Sequence, residues 1–328
     1  MKQENLNVIV TRKLPKLVEK RMSELFKTQL RPDDEPMSQE ELATALKKAD
    51  VLVPSLGDKI NGEILVKAGK RLKLIANYGA GFDHIDIKTA MKHGILVSNT
   101  PDVLSNDTAD LTIALILGVH RKIFEGSRIL TEGQWSGWSP ISLLGKRISG
   151  RNLGILGMGR IGQAVALRAR SFGLNLHYHN RRRLHSETEN HLEAKYWANL
   201  DDMLRAIDIL TIHVPHTPST FHLINARRLK LLNQSSVIVN TARGEIIDED
   251  ALTRMLRSNE LLGAGLDVYE NSMSINPRLK SLKNVMLLPH MGSATYESRI
   301  EMGEKVIINI KAFQDGHQPP NQVLPSML

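Results

Sequence analysis

Arg243 and His290 occupy the same kind of place in the sequence. The apolar run in SSVIVNTARGEIIDEDAL ends in Thr241-Ala242-Arg243-Gly244, and the one in NVMLLPHMGSAT ends in Pro289-His290. In open α/β sheets ligands bind beyond the carboxyl ends of strands. An arginine there can grip a carboxylate together with a neighbouring carbonyl oxygen. A histidine there can give that oxygen a proton as negative charge reaches it. A third segment, LIANYGAGFDHID, places Asn77, Tyr78, Gly79, Ala80 and Gly81 after a strand-like run, where successive N–H groups can form a nest for a carboxylate. Taken singly, these read more readily as a surface arginine, a structural Pro-His and a plain turn. Their weight comes from standing in one chain with a phosphate-binding motif.

That motif is NLGILGMGRIGQAVALRARSFG, with Gly157-x-Gly159-x-x-Gly162 between the strand-like Leu153–Leu156 and the helical pattern Ile161–Phe172. The first glycine makes a tight turn, the second admits a pyrophosphate to the backbone, and the third lets helix and strand pack closely. The phosphates would lie at the helix N-terminus, where free N–H groups and the dipole favour anions. The next strand-like run, Leu174–His179, continues into Asn180-Arg181-Arg182-Arg183, with no acid before Glu187. A carboxylate at that place accepts the ribose 2′-OH and repels a 2′-phosphate, whereas guanidinium groups match phosphate oxygens. Asn180, Arg181 and Arg182 therefore predict NADP as cofactor, with NAD possible; a solvated basic loop is the alternative reading.

The elements that would position these groups follow from the alternation of short apolar runs with longer helical patterns. Strand-like runs occur at Asn7–Thr11, Val51–Pro54, Leu72–Ala76, Leu153–Leu156, Leu174–His179, Ile207–His213, Val237–Asn240, Ala264–Val268 and Val285–Leu288. This predicts an α/β chain with two Rossmann-like, doubly wound parallel-sheet domains, one flavodoxin-like and one dinucleotide-binding. The segment Gln134–Gly150, rich in Gly, Ser and Trp, interrupts the alternation. The expected domains are residues 1–100 with 291–328, substrate-binding, and 101–290, NAD(P)-binding. The return to the first domain rests on Ile300, Val306, Ile307, Ile310 and Phe313, which share one helical face.

Bulk properties bound the function. A chain of 328 residues is long enough for two cores. The absence of cysteine excludes disulfides and thiolate metal sites, and no metal is expected. The formal charge of +8 favours anionic partners, but Lys and Arg are scattered, which predicts small anions and not nucleic acid. The longest apolar run, Leu111 to Val119, is too short to span a bilayer, and MKQENLNVIV lacks the apolar core of a secretory signal. No membrane association and a cytoplasmic location are expected.

The chain resembles the D-isomer-specific 2-hydroxyacid dehydrogenases over nearly its whole length, and within them the glyoxylate and hydroxypyruvate reductases. The matching segments, in order, are NYGAGFDHID, VSNTPDVLSNDTADLTIALIL, LGILGMGRIGQA, HVPHTPSTFHLI, NTARGEIIDEDAL, GAGLDVYE and LLPHMGSAT. The resemblance implies that Arg243 binds substrate, that His290 is the acid/base, and that the backbone near Ala80 and Gly81 holds the carboxylate of a small 2-oxo acid. It implies cofactor contacts at Arg160 and Ile161, at Val214, Pro215, Thr241, Ala242 and Asp267, and at Thr108, Thr220 and Gly292. It further implies a homodimer in which Trp138 reaches the partner's active site.

One departure stands out. The family carries a Glu two residues beyond its DVFE-like segment, which hydrogen-bonds the catalytic histidine and raises its pKa. Here DVYENSMSINP puts Ser272 there, with Glu270 nearby in a different register. A hydroxyl can orient an imidazole but cannot stabilise imidazolium as a carboxylate does. Two functions follow: an active reductase, in which Glu270 or another acid serves His290 or Ser272 only orients it, and a weakly active or inactive dinucleotide-binding sensor or partner module.

Overall fold

The computed structural model describes residues 6–327. The charged stretch 1–5, on which the reading of the N-terminus partly rests, lies outside them. In chain order the elements are β1 (Asn7–Val10), α1 (Lys16–Leu25), β2 (Lys27–Gln29), α2 (Gln39–Lys48), β3 (Val51–Val53), α3 (Gly62–Leu65), β4 (Leu74–Ala76), α4 (Ile87–Lys92) and β5 (Leu96–Ser98). Then come α5 (Ser105–His120), α6 (Ile123–Thr131), β6 (Asn152–Leu156), α7 (Arg160–Ser171), β7 (Asn175–His179), α8 (Ser186–Leu192), β8 (Ala194–Tyr196), α9 (Leu200–Ala206), β9 (Ile209–Ile212), α10 (Ala226–Leu229) and β10 (Val237–Asn240). The chain ends with α11 (Glu249–Arg257), β11 (Gly263–Leu266), α12 (Pro277–Lys280), β12 (Val285–Leu287) and α13 (Tyr296–Gln314).

These elements form two compact units, one from the residues up to Leu104 together with Ala294 onward, the other Ser105–Ser293. The first holds a five-stranded sheet of order β2-β1-β3-β4-β5, all pairings parallel. Side chains alternate across it. Val8, Val10, Val51, Val53 and Leu74 face a core completed by Met302, Val306, Ile307 and Ile310 of α13. Ile9, Leu52 and Ile75 face the opposite core. The apolar face expected on the last helix is what seats it. α13 comes so close to α1 that a Cβ on Gly303 would lie 2.3 Å from the Val18 side chain.

The second unit holds a seven-stranded parallel sheet of order β12-β11-β10-β9-β6-β7-β8. Leu153, Ile155, Val237 and Val239 pack on one face, and Leu210, Ile212, Ile238 and Leu266 on the other. Strand order reverses between β6 and β9, the switch point where doubly wound sheets open a crevice. Helices start where short polar residues meet apolar periodicity. Asp248 caps α11 by accepting from the Ala251 N–H at 2.9 Å, with Glu249 and Asp250 in the first turn and Arg254 and Arg257 in the last. Residues 134–147 contain no helix or strand. No helix among the described residues is long and apolar enough to cross a membrane.

Candidate active site

The three glycines after β6 do three different things. Gly157 has φ +97°, and a Cβ on it would lie 2.8 Å from the His213 carbonyl carbon and oxygen, so the turn presses against the end of β9. Gly162 lies flat on the Gly157 peptide, 2.2 Å from where a Cβ would collide with its oxygen. At Gly159 a Cβ would meet nothing within 4 Å. That open ground lies before the start of α7, which has no side-chain cap, so the N–H groups of Ile161 and Gly162 and the helix dipole are available to an anion. The arrangement fits a dinucleotide pyrophosphate. Arg160 stands exposed on the first turn of the helix.

At the end of β7, Asn180 turns its side-chain oxygen back to the glycine turn and accepts from the Met158 N–H at 2.7 Å. Arg181 and Arg182 are exposed and have no ion-pair or hydrogen-bond partner among the described residues. Arg183 does: it grips Glu189 through Nε and Nη2 at 2.8 to 3.1 Å. Beyond β9, Val214 contacts the Gly157 turn, and Thr220 closes the following loop, donating to the Pro215 carbonyl at 2.7 Å and accepting from the Thr217 N–H at 2.8 Å.

Arg243 follows β10 and His290 follows β12, with β11 and its Asp267 between them. Two strand spacings separate the ends of β10 and β12, roughly 10 Å. Asn240 orders the turn before Arg243, accepting from the Ala242 N–H at 3.0 Å and donating to the Arg243 carbonyl at 2.8 Å. Gly244 then lies against the Tyr269–Glu270 peptide, where a Cβ would sit 1.9 Å from the Tyr269 carbonyl carbon. Thr241 is buried and shares a 3.0 Å hydrogen bond with Thr112 of α5. Asp267, fully buried, shapes the turn that carries His290. Its carbonyl accepts from the His290 N–H at 2.9 Å, and its carboxylate accepts from the N–H groups of Met291 and Gly292, each at 2.8 Å. Burial pushes the Asp267 carboxyl above the usual carboxylate range. Thr108 closes the same turn by donating to the Gly292 carbonyl at 3.2 Å. His290 itself has φ +53°, a left-handed conformation uncommon outside glycine, and its ring is on an exposed residue.

Glu270 is committed elsewhere. Its carboxylate meets His222 Nε2 at 2.8 Å and accepts from the Glu249 N–H at 3.4 Å, while its own N–H donates to Glu249 at 3.0 Å. It ties together three loops and braces the peptide behind Gly244. Ser272 lies on the exposed turn that follows, where Ser274 N–H closes on the Asn271 carbonyl.

In the other unit, the turn after β4 has all three of its carbonyls engaged. Asn77 donates to the Gly79 and Gly81 carbonyls at 3.0 and 2.8 Å, Asn99 donates to that of Ala80 at 2.7 Å, and Thr100 N–H also reaches Gly79. With the oxygens turned inward, the N–H groups of Gly79, Ala80 and Gly81 have no acceptor among the described residues, which is the condition for an anion nest. The Tyr78 hydroxyl donates to the Arg299 carbonyl at 2.5 Å, so its ring fastens α13 to β4. Trp138 is 85% exposed, in the irregular segment after α6.

Several contributors escaped the sequence reading. Asn77 was legible only as part of a turn, and its side chain sets that turn's polarity. His213 passed as the residue before Val214-Pro215, yet its Nδ1 is shut from water without a partner among the described residues, its Nε2 bonds Thr211 at 2.8 Å, and burial holds its pKa down to about 3. Glu189 had a visible signal, an acid six residues after a basic run.

The chain is similar to known proteins over nearly its whole length. Residues 113–292 match the model of the D-isomer specific 2-hydroxyacid dehydrogenase NAD binding domain. A glyoxylate reductase from Thermococcus onnurineus is 41% identical over 96% of this chain and 95% of its own length. A putative D-isomer specific 2-hydroxyacid dehydrogenase from Polaromonas superposes with a TM-score of 0.91 at 38% identity, covering 98% of this chain and all of that one. An NADPH-dependent glyoxylate/hydroxypyruvate reductase from Sinorhizobium meliloti, solved with NADP and malonate, gives a TM-score of 0.87 at 33% identity over 98% of this chain and 97% of that one.

Proposed function

Since this chain belongs to the D-isomer-specific 2-hydroxyacid dehydrogenases and is an NAD(P)-dependent oxidoreductase, we propose that it is an NADPH-preferring reductase of small 2-oxo acids, glyoxylate and hydroxypyruvate foremost, yielding D-2-hydroxy acids. The observation that carries the cofactor preference is the acid-free end of β7, where Arg181 and Arg182 stand exposed and unpaired among the described residues. The substrate class is supported by the glyoxylate reductase of Thermococcus and the NADPH-dependent enzyme of Sinorhizobium.

A dinucleotide held by the turn 157–162 and the start of α7 would supply hydride for the 2-carbon of the oxo acid. In this reading Arg243 holds the substrate carboxylate and draws electron density toward the carbonyl oxygen, and the N–H groups of Gly79 to Gly81 form a nest of the kind that takes a carboxylate. His290 donates the proton that turns the developing alkoxide into a hydroxyl, which balances the reduction: one hydride to carbon, one proton to oxygen. With Glu270 engaged by His222 and Glu249, Ser272 is left in the place of the usual acid, and its hydroxyl has no charge-stabilising role.

A homodimer is part of the proposal. α6 buries none of its residues within the chain, and Ile123, Phe124 and Leu130 together with Trp135, Trp138, Ile141 and Leu144 are exposed. An apolar face of this extent marks an interaction surface. A second copy is the occupant proposed, Trp138 its contribution to the partner's site, and the cytoplasm its location. Sedimentation of the full chain at micromolar concentration tests the dimer; a monomer would remove it.

Loss of NADPH absorbance with glyoxylate, hydroxypyruvate and a panel of larger 2-oxo acids tests the activity. Turnover with the small acids is expected. Tight NADPH binding without turnover of any acid would replace the reductase by a dinucleotide-binding sensor or partner module, the reading that the absent Glu favours.

A further inference from the structure

We propose that Tyr178 and Glu189 are positioning residues for cofactor choice. They hold the loop 180–184 in the shape that presents Arg181 and Arg182 to the 2′-phosphate of NADP, and they keep Arg183 out of that task. The inference rests on the NADPH reading above and deepens it.

The loop is fastened at both ends. At its start the Asn180 side chain accepts from Met158 N–H of the glycine turn at 2.7 Å, and the Asn180 carbonyl accepts from the Tyr196 hydroxyl at 3.4 Å. At its end the Leu184 N–H donates to the Tyr178 hydroxyl at 3.1 Å. That hydroxyl lies inside the unit, on a residue with no exposed surface, and it donates in turn to Glu189. Glu189, on α8, is 7% exposed and receives Arg183 on both carboxylate oxygens. The Arg183 guanidinium lies 5.5 Å from the centre of the Tyr196 ring, so the same tyrosine supports the arginine and the start of the loop. Only the side chains of Arg181 and Arg182 stand between these fastenings without partners among the described residues.

Charge and entropy make this arrangement selective. A carboxylate close to a bound phosphate opposes it, and Glu189 sits at that strand end. Paired with Arg183 it is neutralised, which leaves two uncompensated guanidinium groups at the loop's apex. A backbone already fixed in the binding shape spares the cost of ordering it when the phosphate arrives. The 2′-OH of NAD offers no charge to such an apex, so the brace favours one cofactor over the other. A brace with a merely structural role would change both cofactors together.

Tyr178→Phe and Glu189→Gln in the full-length protein separate these cases. Kd for NADPH and for NADH is measured by fluorescence titration without substrate, and KM and kcat with each at saturating glyoxylate, with thermal midpoints recorded alongside; Kd is expected to move as KM does. Each variant should raise the KM for NADPH by about fivefold, the equivalent of one net hydrogen bond, and move the KM for NADH by less than twofold. Should the buried phenol be needed for folding, Glu189→Gln, close in shape but unable to keep the two-oxygen grip on Arg183, carries the test alone. A wild type that prefers NADPH and variants that keep or strengthen that preference would overturn this inference and spare the NADPH reading. A wild type with no preference would overturn both.

Discussion

The loops that follow β7 and β11 each lack a carboxylate at one place where it could stand, Asn180 to Arg182 in the first and Ser272 in the second, and they are built differently around the gap. Beyond β7 the nearby acid, Glu189, points inward, is buried, and is neutralised by Arg183. What remains facing outward is a pair of exposed arginines on a fastened loop. Beyond β11 the nearby acid, Glu270, is drawn to His222 and to the Glu249 backbone, and Ser272 is exposed on the next turn. At the first end the positive charge of two guanidinium groups is left facing outward. At the second, Glu270 braces the peptide on which Gly244 rests. In the proposed function, the missing acid bears on specificity in one place and on proton transfer in the other.

Four measurements break or sharpen that contrast. His290→Gln should lower kcat by about 10²–10⁴, the range of a lost general acid, with NADPH affinity by fluorescence titration unchanged; a kcat within tenfold of wild type would remove the histidine from the chemistry. Replacing Arg181 and Arg182 together by Ser should raise the KM for NADPH by roughly 10–100-fold, the worth of charge-assisted hydrogen bonds, and leave NADH-linked turnover in place. Ser272→Glu should raise kcat/KM at pH 7 to 8 by up to about tenfold, one pKa unit of histidine basicity, and shift the pH profile upward; a profile identical to wild type would show that the residue at 272 does not tune His290. The smallest effect concerns stability. His213 is held near pKa 3 against about 6.5 in an unfolded chain. Between those values the unfolded state binds more protons, so this contribution is complete above about pH 6.5 and shrinks as pH falls. His120 and His177, also lowered by burial, act in the same direction. Urea unfolding of His213→Gln from pH 7 to 5 should show a shallower loss than wild type.

Sequence showed the central strands readily because both of their faces are buried. Val51–Val53, Ile209–Ile212 and Val237–Asn240 are apolar or enclosed throughout. The three strands it did not show, β2, β5 and β8, all lie at sheet edges. Lys27–Gln29 and Ala194–Tyr196 bury too little on either face to leave an apolar run. The glycine triplet was legible because each glycine answers a backbone demand visible in spacing alone. The partition of the arginine run was not. Nothing in Arg181-Arg182-Arg183 distinguishes the third from the first two until α8 folds back and delivers Glu189. The same holds for Glu270, whose neighbourhood to Ser272 in sequence placed it close to His290 on paper, while the fold assigns it to His222.

The most direct test of the account is the ratio of kcat/KM for NADPH to that for NADH in the wild-type protein, with glyoxylate as acceptor at neutral pH. Reduction of glyoxylate with a ratio of about ten or more, the discrimination that one charge-assisted contact confers, is the predicted result. Equal rates with the two cofactors, or faster reduction with NADH, would contradict it.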